Sequence, residues 1–514
     1  MQNGSVSGRV FKNTTYLYAK MAVSIFATFF STRLIINALG FEDYGIYNVV
    51  AAAIAMFGFL NASMAIATQR FMNYYEGRHD DEYQRKIFNA AMVLHLMIAL
   101  FMGVVLLATE SLIFNHLIEI NSDRIEIAKW VYRCAILSTV ITIVAVPFDA
   151  AINAHEDLLF FSVVGILEAL LKLGVAFYIT KFLGDKLLCY GILILVITLL
   201  VNFIMYVFCK TKYSECRFAP QKYLEKGRLR QMAGFGGWNF VGTSSAMASQ
   251  YGTKIVINRF WGVTLNATEG VTSQLTSVML SLSKNLMKAV NPVIVKTEGR
   301  SEHENMYRIT FTVCKLMFVA YVLLAVPLYF ECDYLLVLWL KNVPPYCVEY
   351  VRLAILVKVI EQVTEPLNTA INAVGKIKVY NIVYSLLQLG MIAMVIGFFT
   401  IGMAPYYSVV AQIIAAFLLM SYRVYFCSRK NGMPLKKYII DVLIKCAVIL
   451  IPVSIILLFI TTAIHQSFGR LVLVTILSTL FLLLGGYVFI LNTAEKKMVK
   501  GLMYGVLKKT HRQA

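Results

Sequence analysis

The chain has 514 residues, 59% of them apolar and only 15% charged, with a mean hydropathy of +0.70. Soluble domains sit nearer half apolar and a quarter charged, so this composition excludes a disordered chain, a collagen, a secreted disulfide scaffold or a DNA-binding domain as a description of the whole. The net charge of +19 would suit nucleic acid, but the cations are sorted by loop, which is the pattern of a membrane protein.

Crossing the hydrocarbon core as a helix takes roughly 20 apolar residues. By that measure the sequence predicts about 14 membrane spans in chain order, near 14–39, 45–68, 87–109, 126–152, 158–182, 187–209, 236–261, 266–290, 307–330, 348–374, 379–402, 405–427, 438–461 and 470–492. The seventh, eighth and tenth are unusually polar. The first span is too long for a cleavable signal and lacks a small-residue cleavage site, so it reads as a membrane helix. An all-α polytopic membrane protein is the expected fold class.

Lysine and arginine give the sidedness. Alternate loops carry Arg9 and Lys12, then Arg70, Arg78, Arg85 and Lys86, then a cluster from Lys210 to Arg230, then Lys296, Arg300 and Arg308. Lys376 and Lys378, the Arg429–Lys437 group and a tail ending in Lys508, Lys509 and Arg512 continue the series. The opposite loops hold Lys186, Lys341 and Arg470, with Arg124 at a boundary. Both termini are therefore expected in the cytoplasm, and an even number of spans agrees.

The two halves resemble each other. Thr32-Arg33-Leu34-Ile35-Ile36-Asn37 reappears as Thr253-Lys254-Ile255-Val256-Ile257-Asn258, and Glu76-Gly77-Arg78 as Glu298-Gly299-Arg300. Pro147-Phe148-Asp149-Ala150-Ala151-Ile152-Asn153-Ala154 returns as Pro366-Leu367-Asn368-Thr369-Ala370-Ile371-Asn372-Ala373. The matches lie about 220 residues apart in the same order, with six spans between copies, so the repeats run parallel about an axis along the membrane normal. The expected organisation is an N-lobe over 1–210, a basic cytoplasmic linker over 211–235, a C-lobe over 236–430, and two further helices with a basic tail over 431–514. Two six-helix lobes around a central cavity is a transporter arrangement, worked by alternating access.

A charge at mid-membrane costs at least about 2.5 kcal/mol, so it faces protein or water and is a functional candidate by default. The eighth span carries Gln274, Ser277, Ser281, Lys284, Lys288 and Asn291 at three- and four-residue steps, on one face. The first carries Lys20, Ser24, Thr28 and Ser31, with Arg33 near its end, and the seventh carries Asn239, Ser245, Ser249, Lys254 and Arg259. The predicted substrate cavity is thus Lys20, Arg33, Lys254, Arg259, Gln274, Ser281, Lys284 and Lys288, a cationic lining suited to a diphosphate. Snorkelling to the interface is a competing reading for Lys20, Lys288 and Arg259. Coupling to H+ or Na+ has Asp149, Glu361 and Glu365 as candidates, although Lys358–Glu361 also reads as a plain intrahelical pair, as does Glu168–Lys172.

Catalytic readings find little support. The seven histidines are scattered, and Asp80-Asp81, flanked by Arg78, Arg85 and Lys86, reads as a solvated loop rather than a metal site. The nine cysteines show no CxxC spacing; Cys332 and Cys347 share one loop and could form a disulfide, though two unpaired thiols is the preferred reading. Gly236-Gly237 and Gly485-Gly486 suit close helix packing or a hinge. No cofactor and no enzymatic activity are expected.

The first span ends Thr32-Arg33-Leu34-Ile35-Ile36-Asn37-Ala38-Leu39-Gly40 and runs into Phe41-Glu42-Asp43-Tyr44-Gly45-Ile46-Tyr47. That junction resembles the start of polysaccharide-transport flippases of the multidrug/oligosaccharidyl-lipid/polysaccharide exporter superfamily, and the resemblance extends over essentially the whole chain. It implies Wzx-type activity: moving undecaprenyl-diphosphate-linked oligosaccharide repeat units of O-antigen, capsule or exopolysaccharide to the periplasmic leaflet of a bacterial inner membrane. Its partners would be the lipid-linked glycan, membrane lipids, and a polymerase with its chain-length machinery, not nucleic acid. The family's cationic cavity would correspond to Arg33, Lys254 and Lys284. A lipid II flippase of the MurJ type, a drug or cation exporter of the MATE type, and a membrane polymerase or glycosyltransferase remain as alternatives; the last should show a large outer loop, and none is present.

Overall fold

A computed structural model describes residues 6–55, 58–114, 122–340, 343–490 and 496. Lys341, residues 115–121 between the third and fourth expected spans, and the tail cations from Lys497 onward lie outside the described residues. Among the described residues all regular structure is helical, and ten helices are long and apolar enough to cross a membrane. Ten of the expected spans correspond to them closely: 14–39 to Lys12–Gly40, 158–182 to Leu158–Lys181, and 438–461 to Leu435–Ala463. The other four are not among these ten. The spans at 236–261 and 266–290 form helices of 36 and 37 residues that carry too many polar side chains. The span at 348–374 is broken at Val363-Thr364, and that at 45–68 crosses residues 56–57, outside the described ones.

One compact unit comprises residues 13–244. Its helices are α1 (Val6–Ala55), α2 (Gly58–Arg78), α3 (Asp81–Leu112), α4 (Ser122–Ala154), α5 (Leu158–Lys181), α6 (Lys186–Lys212), the short α7 (Pro220–Tyr223) and the start of α8 (Lys226–Trp261). Gly40, at φ 79°, breaks α1 into two helical pieces, a backbone angle glycine adopts without penalty. Helix α4 packs against α2, α3 and α6, and α5 against α6. Val50, Met102, Leu106, Tyr132 and Leu187 meet in the core. Charges fasten α4 at both ends. At its start Arg124 bridges Asp43 of α1 and Asp185, the N-cap of α6. Just past its end the His155 ring stacks on Tyr213 at 4.1 Å, its Nε2 2.5 Å from Glu215 and its Nδ1 3.3 Å from Glu76. Asp80 is the N-cap of α3, accepting from the Tyr83 amide at 3.1 Å. Gly236 has the close approach expected of it: a Cβ there would lie 2.4 Å from the Met64 sulfur.

The second unit holds residues 1–12 and 245–514. After the rest of α8 come α9 (Val263–Gly299), α10 (His303–Phe330), α11 (Cys332–Leu340), α12 (Cys347–Gln362), α13 (Glu365–Val374), α14 (Lys378–Thr400) and α15 (Tyr407–Asn431). The short α16 (Leu435–Tyr438), then α17 (Lys445–Ala463) and α18 (Phe468–Gly485), complete it. Helix α9 packs on α10, α12 and α13; α15 packs on α12 and α14; α17 and α18 pack on α10. Arg470, expected in an outer loop, is instead buried in the first turn of α18. Its guanidinium meets both oxygens of the fully buried Glu331 at 2.8 and 2.9 Å and caps the Thr461 and Ile464 carbonyls. Cys332 and Cys347 are both free thiols.

The sequence repeat has a backbone counterpart in each unit. Left-handed residues stand at Gly40, His79 and Glu156 in the first unit and at Gly262, Ser301 and Gly375 in the second. His79 and Ser301 follow the matched Glu-Gly-Arg triplets, and Glu156 and Gly375 follow the matched Ala-Ile-Asn-Ala segments. The proline differs in use. Pro147 lies within α4, whereas Pro366 falls in the first turn of α13, where its missing N–H leaves no bond unmade.

Candidate functional site

Five helices of the second unit surround a cavity of about 320 Å³. Its polar wall comes from Ser249, Gln250 and Thr253 of α8 and from Glu269, Thr272, Ser273 and Thr276 of α9. Lys358 and Glu361 of α12, Gln388 of α14 and Gln412 of α15 complete that wall. Gln250 is exposed and marks the mouth; Ser249, Thr272 and Thr276 are buried. The Thr272 and Thr276 hydroxyls donate to carbonyls one turn back, at 2.9 and 2.8 Å, which leaves their oxygen lone pairs toward the space. Gln388 donates its amide to the Tyr384 hydroxyl at 2.9 Å.

Two acids reach this cavity. Glu361 is held by Lys358 at 2.8 Å, the pairing expected from their spacing. Glu269 was not singled out in the sequence; its Oε2 is buried with no hydrogen-bond partner among the described residues, and Lys254 is its neighbouring charge. The wall itself carries two carboxylates and the Lys358 ammonium, with Lys254 outside the lining.

Glu365 sits one turn beyond, outside the cavity lining. Arg423, buried in α15, donates to Glu365 at 2.9 Å, to the Tyr380 hydroxyl at 3.0 Å and to Thr364 at 3.4 Å. In the first unit Asp149 is half-buried with its Oδ1 unpartnered, and Lys20 lies over the Phe161 ring at 4.0 Å and against Gly165.

The remaining predicted residues divide by helix face. On α9, Gln274, Ser277 and Lys284 are exposed, while Ser281 and Lys288 are half-buried; Ser281 donates to the Val278 carbonyl at 2.6 Å. Arg33 and Arg259 are exposed as well. The polar face of α8 does not share this exposure. Ser245 bonds Ser385 at 3.0 Å and Ser249 lies 3.9 Å from the Met391 sulfur, so that face turns onto α14 of its own unit. Glu168–Lys172 forms the expected i,i+4 pair at 2.6 Å. Among the described residues no group of three or more His, Cys, Asp or Glu is arranged to hold a metal ion, and the Asp80-Asp81 pair serves as a helix start.

No family model matches the chain, and no curated protein matches it. Solved structures do. A point mutant of a MATE gives a TM-score of 0.73 at 12% identity, covering 84% of this chain and 98% of its own. An outward-facing multidrug resistance MATE transporter of the MOP superfamily gives 0.69 at 12% identity, with 83% and 96% covered. A MOP superfamily transporter from Pyrococcus furiosus Vc1, described as having a binding pocket of reverse polarity, gives 0.69 at 13% identity, with 85% and 97% covered. The fold is that of the MATE transporters. At these identities the likeness carries the all-α, multi-pass architecture of MATE proteins and no residue-by-residue role.

Proposed function

We propose that this protein is an exporter that moves polyprenyl-diphosphate-linked oligosaccharide repeat units across a bacterial inner membrane, with both termini in the cytoplasm. The MATE-type fold supports a transporter rather than an enzyme. The observation that carries the anionic cargo is the exposed polar stripe of α9. Lys284 lies roughly 20 Å or more from either end of that 37-residue helix. An exposed ammonium at that depth belongs in water, whereas the exposed Leu100, Phe101, Val104 and Leu107 of α3 suit lipid. Arg33 and Arg259 add exposed cations on the helices that begin the two sequence repeats. Guanidinium and ammonium groups recognise diphosphate oxygens, the prenyl tail stays in lipid, and alternating access presents the glycan to the other face. That a structural neighbour of this fold carries a pocket of reverse polarity supports a cationic cargo site on a MATE framework.

An H+ or Na+ gradient supplies the driving force in this reading. Of the three acids expected to couple, Asp149 retains an unpartnered buried oxygen, while Glu361 and Glu365 are already engaged by Lys358 and Arg423. Asp149 is the coupling residue we favour.

The test is complementation of a deletion strain with Lys284→Ala, Arg259→Ala and Lys254→Ala. Loss of surface polysaccharide at unchanged membrane expression is the expected outcome; full activity of Lys284→Ala and Lys254→Ala together contradicts the cationic site. A second reading, export of an organic cation, is favoured by the unpaired Glu269 oxygen in the cavity. It predicts raised drug sensitivity in the deletion strain with surface polymer unchanged.

A further inference from the structure

The 320 Å³ cavity of the second unit is a polar feature that the proposed export step leaves without a role. Its size lies at the small end of ligand sites, roughly 300–1,000 Å³, the scale of one small solute. A lone cation would be gripped by six or more oxygens at about 2.4 Å, a far tighter cage than walls on five separate helices. The lining joins an apolar side, with Ile257, Tyr350, Leu387 and Met391, to three glutamine amides, four Ser or Thr hydroxyls besides Ser249, the Lys358–Glu361 pair and Glu269.

We propose that this cavity is a sugar-binding pocket for one neutral, hydroxyl-rich ring. It rests on the export of a glycan proposed above and assigns a place where one residue of that glycan is read. The chemistry matches in both directions. The Glu269 Oε2 has no donor among the described residues, and a buried acceptor left unsatisfied costs about 1–3 kcal/mol; a sugar hydroxyl supplies the missing donor. Thr272 and Thr276 spend their protons on their own helix and so present acceptors. Gln250, Gln388 and Gln412 each bring an amide carbonyl and N–H to the lining, the combination that pairs with adjacent hydroxyls, and Gln250 at the mouth meets the ring first. A pocket built from paired polar groups rejects a ring lacking a hydroxyl, because its own groups are then left unpaired.

The experiment uses the full-length protein in lipid nanodiscs and equilibrium dialysis with tritiated glucose, galactose, N-acetylglucosamine and N-acetylgalactosamine, each alone. Saturable binding of at least one, weakened tenfold or more by Gln412→Leu and by the near-isosteric Thr272→Val, is the expected result. Binding that survives both substitutions and Glu269→Gln unchanged places the sugar elsewhere and overturns the proposal. So does the absence of any sugar binding, including the case in which 22Na+ binds in its stead. The export reading is judged separately. Lipid-linked repeat units accumulating in the deletion strain without sugar binding leaves export standing and removes the pocket, and sugar binding without accumulation does the reverse.

Discussion

At the scale of single residues, the structure separates charges that hold the fold from charges free to act. Arg470 and Glu331 are of the first kind, at 5% and 0% side-chain exposure. Removing one partner strands the other in a dry site, so Arg470→Met or Glu331→Gln should cost about 3–5 kcal/mol, while Glu331→Leu with Arg470→Met should recover most of it. Thermal unfolding in detergent reads both. His155 gives a pH signature. Burial pulls its proton affinity down, but the Glu215 and Glu76 carboxylates outweigh burial and push its pKa up to about 9. With the folded value above the ordinary 6.5, the stabilisation is complete below about 6.5 and disappears as pH rises through about 9. His155→Gln should therefore flatten the pH dependence of stability across that window and leave it unchanged above. Pairs three or four residues apart, Glu168–Lys172 and Lys358–Glu361, were readable because helix geometry fixes them. Arg470–Glu331, 139 residues apart, and the convergence of Glu269 with Glu361 were not, since only the fold brings their helices together.

At the scale of elements, the apolar helices were legible almost to their ends, because burial in lipid demands a continuous apolar run. Helices α8 and α9 were legible by position but run longer than the expected 236–261 and 266–290, and they fall short in apolar content, since their polar faces meet a cavity, a neighbour or water rather than lipid. The backbone echo of the repeat was legible only as sequence. Its left-handed positions are filled unevenly: Gly375 at φ 88° is at ease, whereas Glu156 at φ 58° holds an angle that L side chains resist. Gly375→Ala should lower stability by about 1 kcal/mol, and Glu156→Gly should raise the unfolding temperature. Gly236→Val should destabilise by about 1–3 kcal/mol, since its side chain would displace Met64.

At the scale of the molecule, composition and loop charge gave the membrane class, and the repeated motifs gave the expectation of two related halves. The MATE-type fold agrees with the fold that the resemblance implies, while the proposed cargo rests on the exposed cations Arg33, Arg259 and Lys284. The most direct test extracts polyprenyl-linked glycans from a deletion strain and scores its surface polysaccharide. Complete repeat units accumulating on the lipid, with the surface polymer lost, is the predicted result. Unchanged surface polymer with no accumulated lipid-linked glycan would contradict the export of such units by this chain.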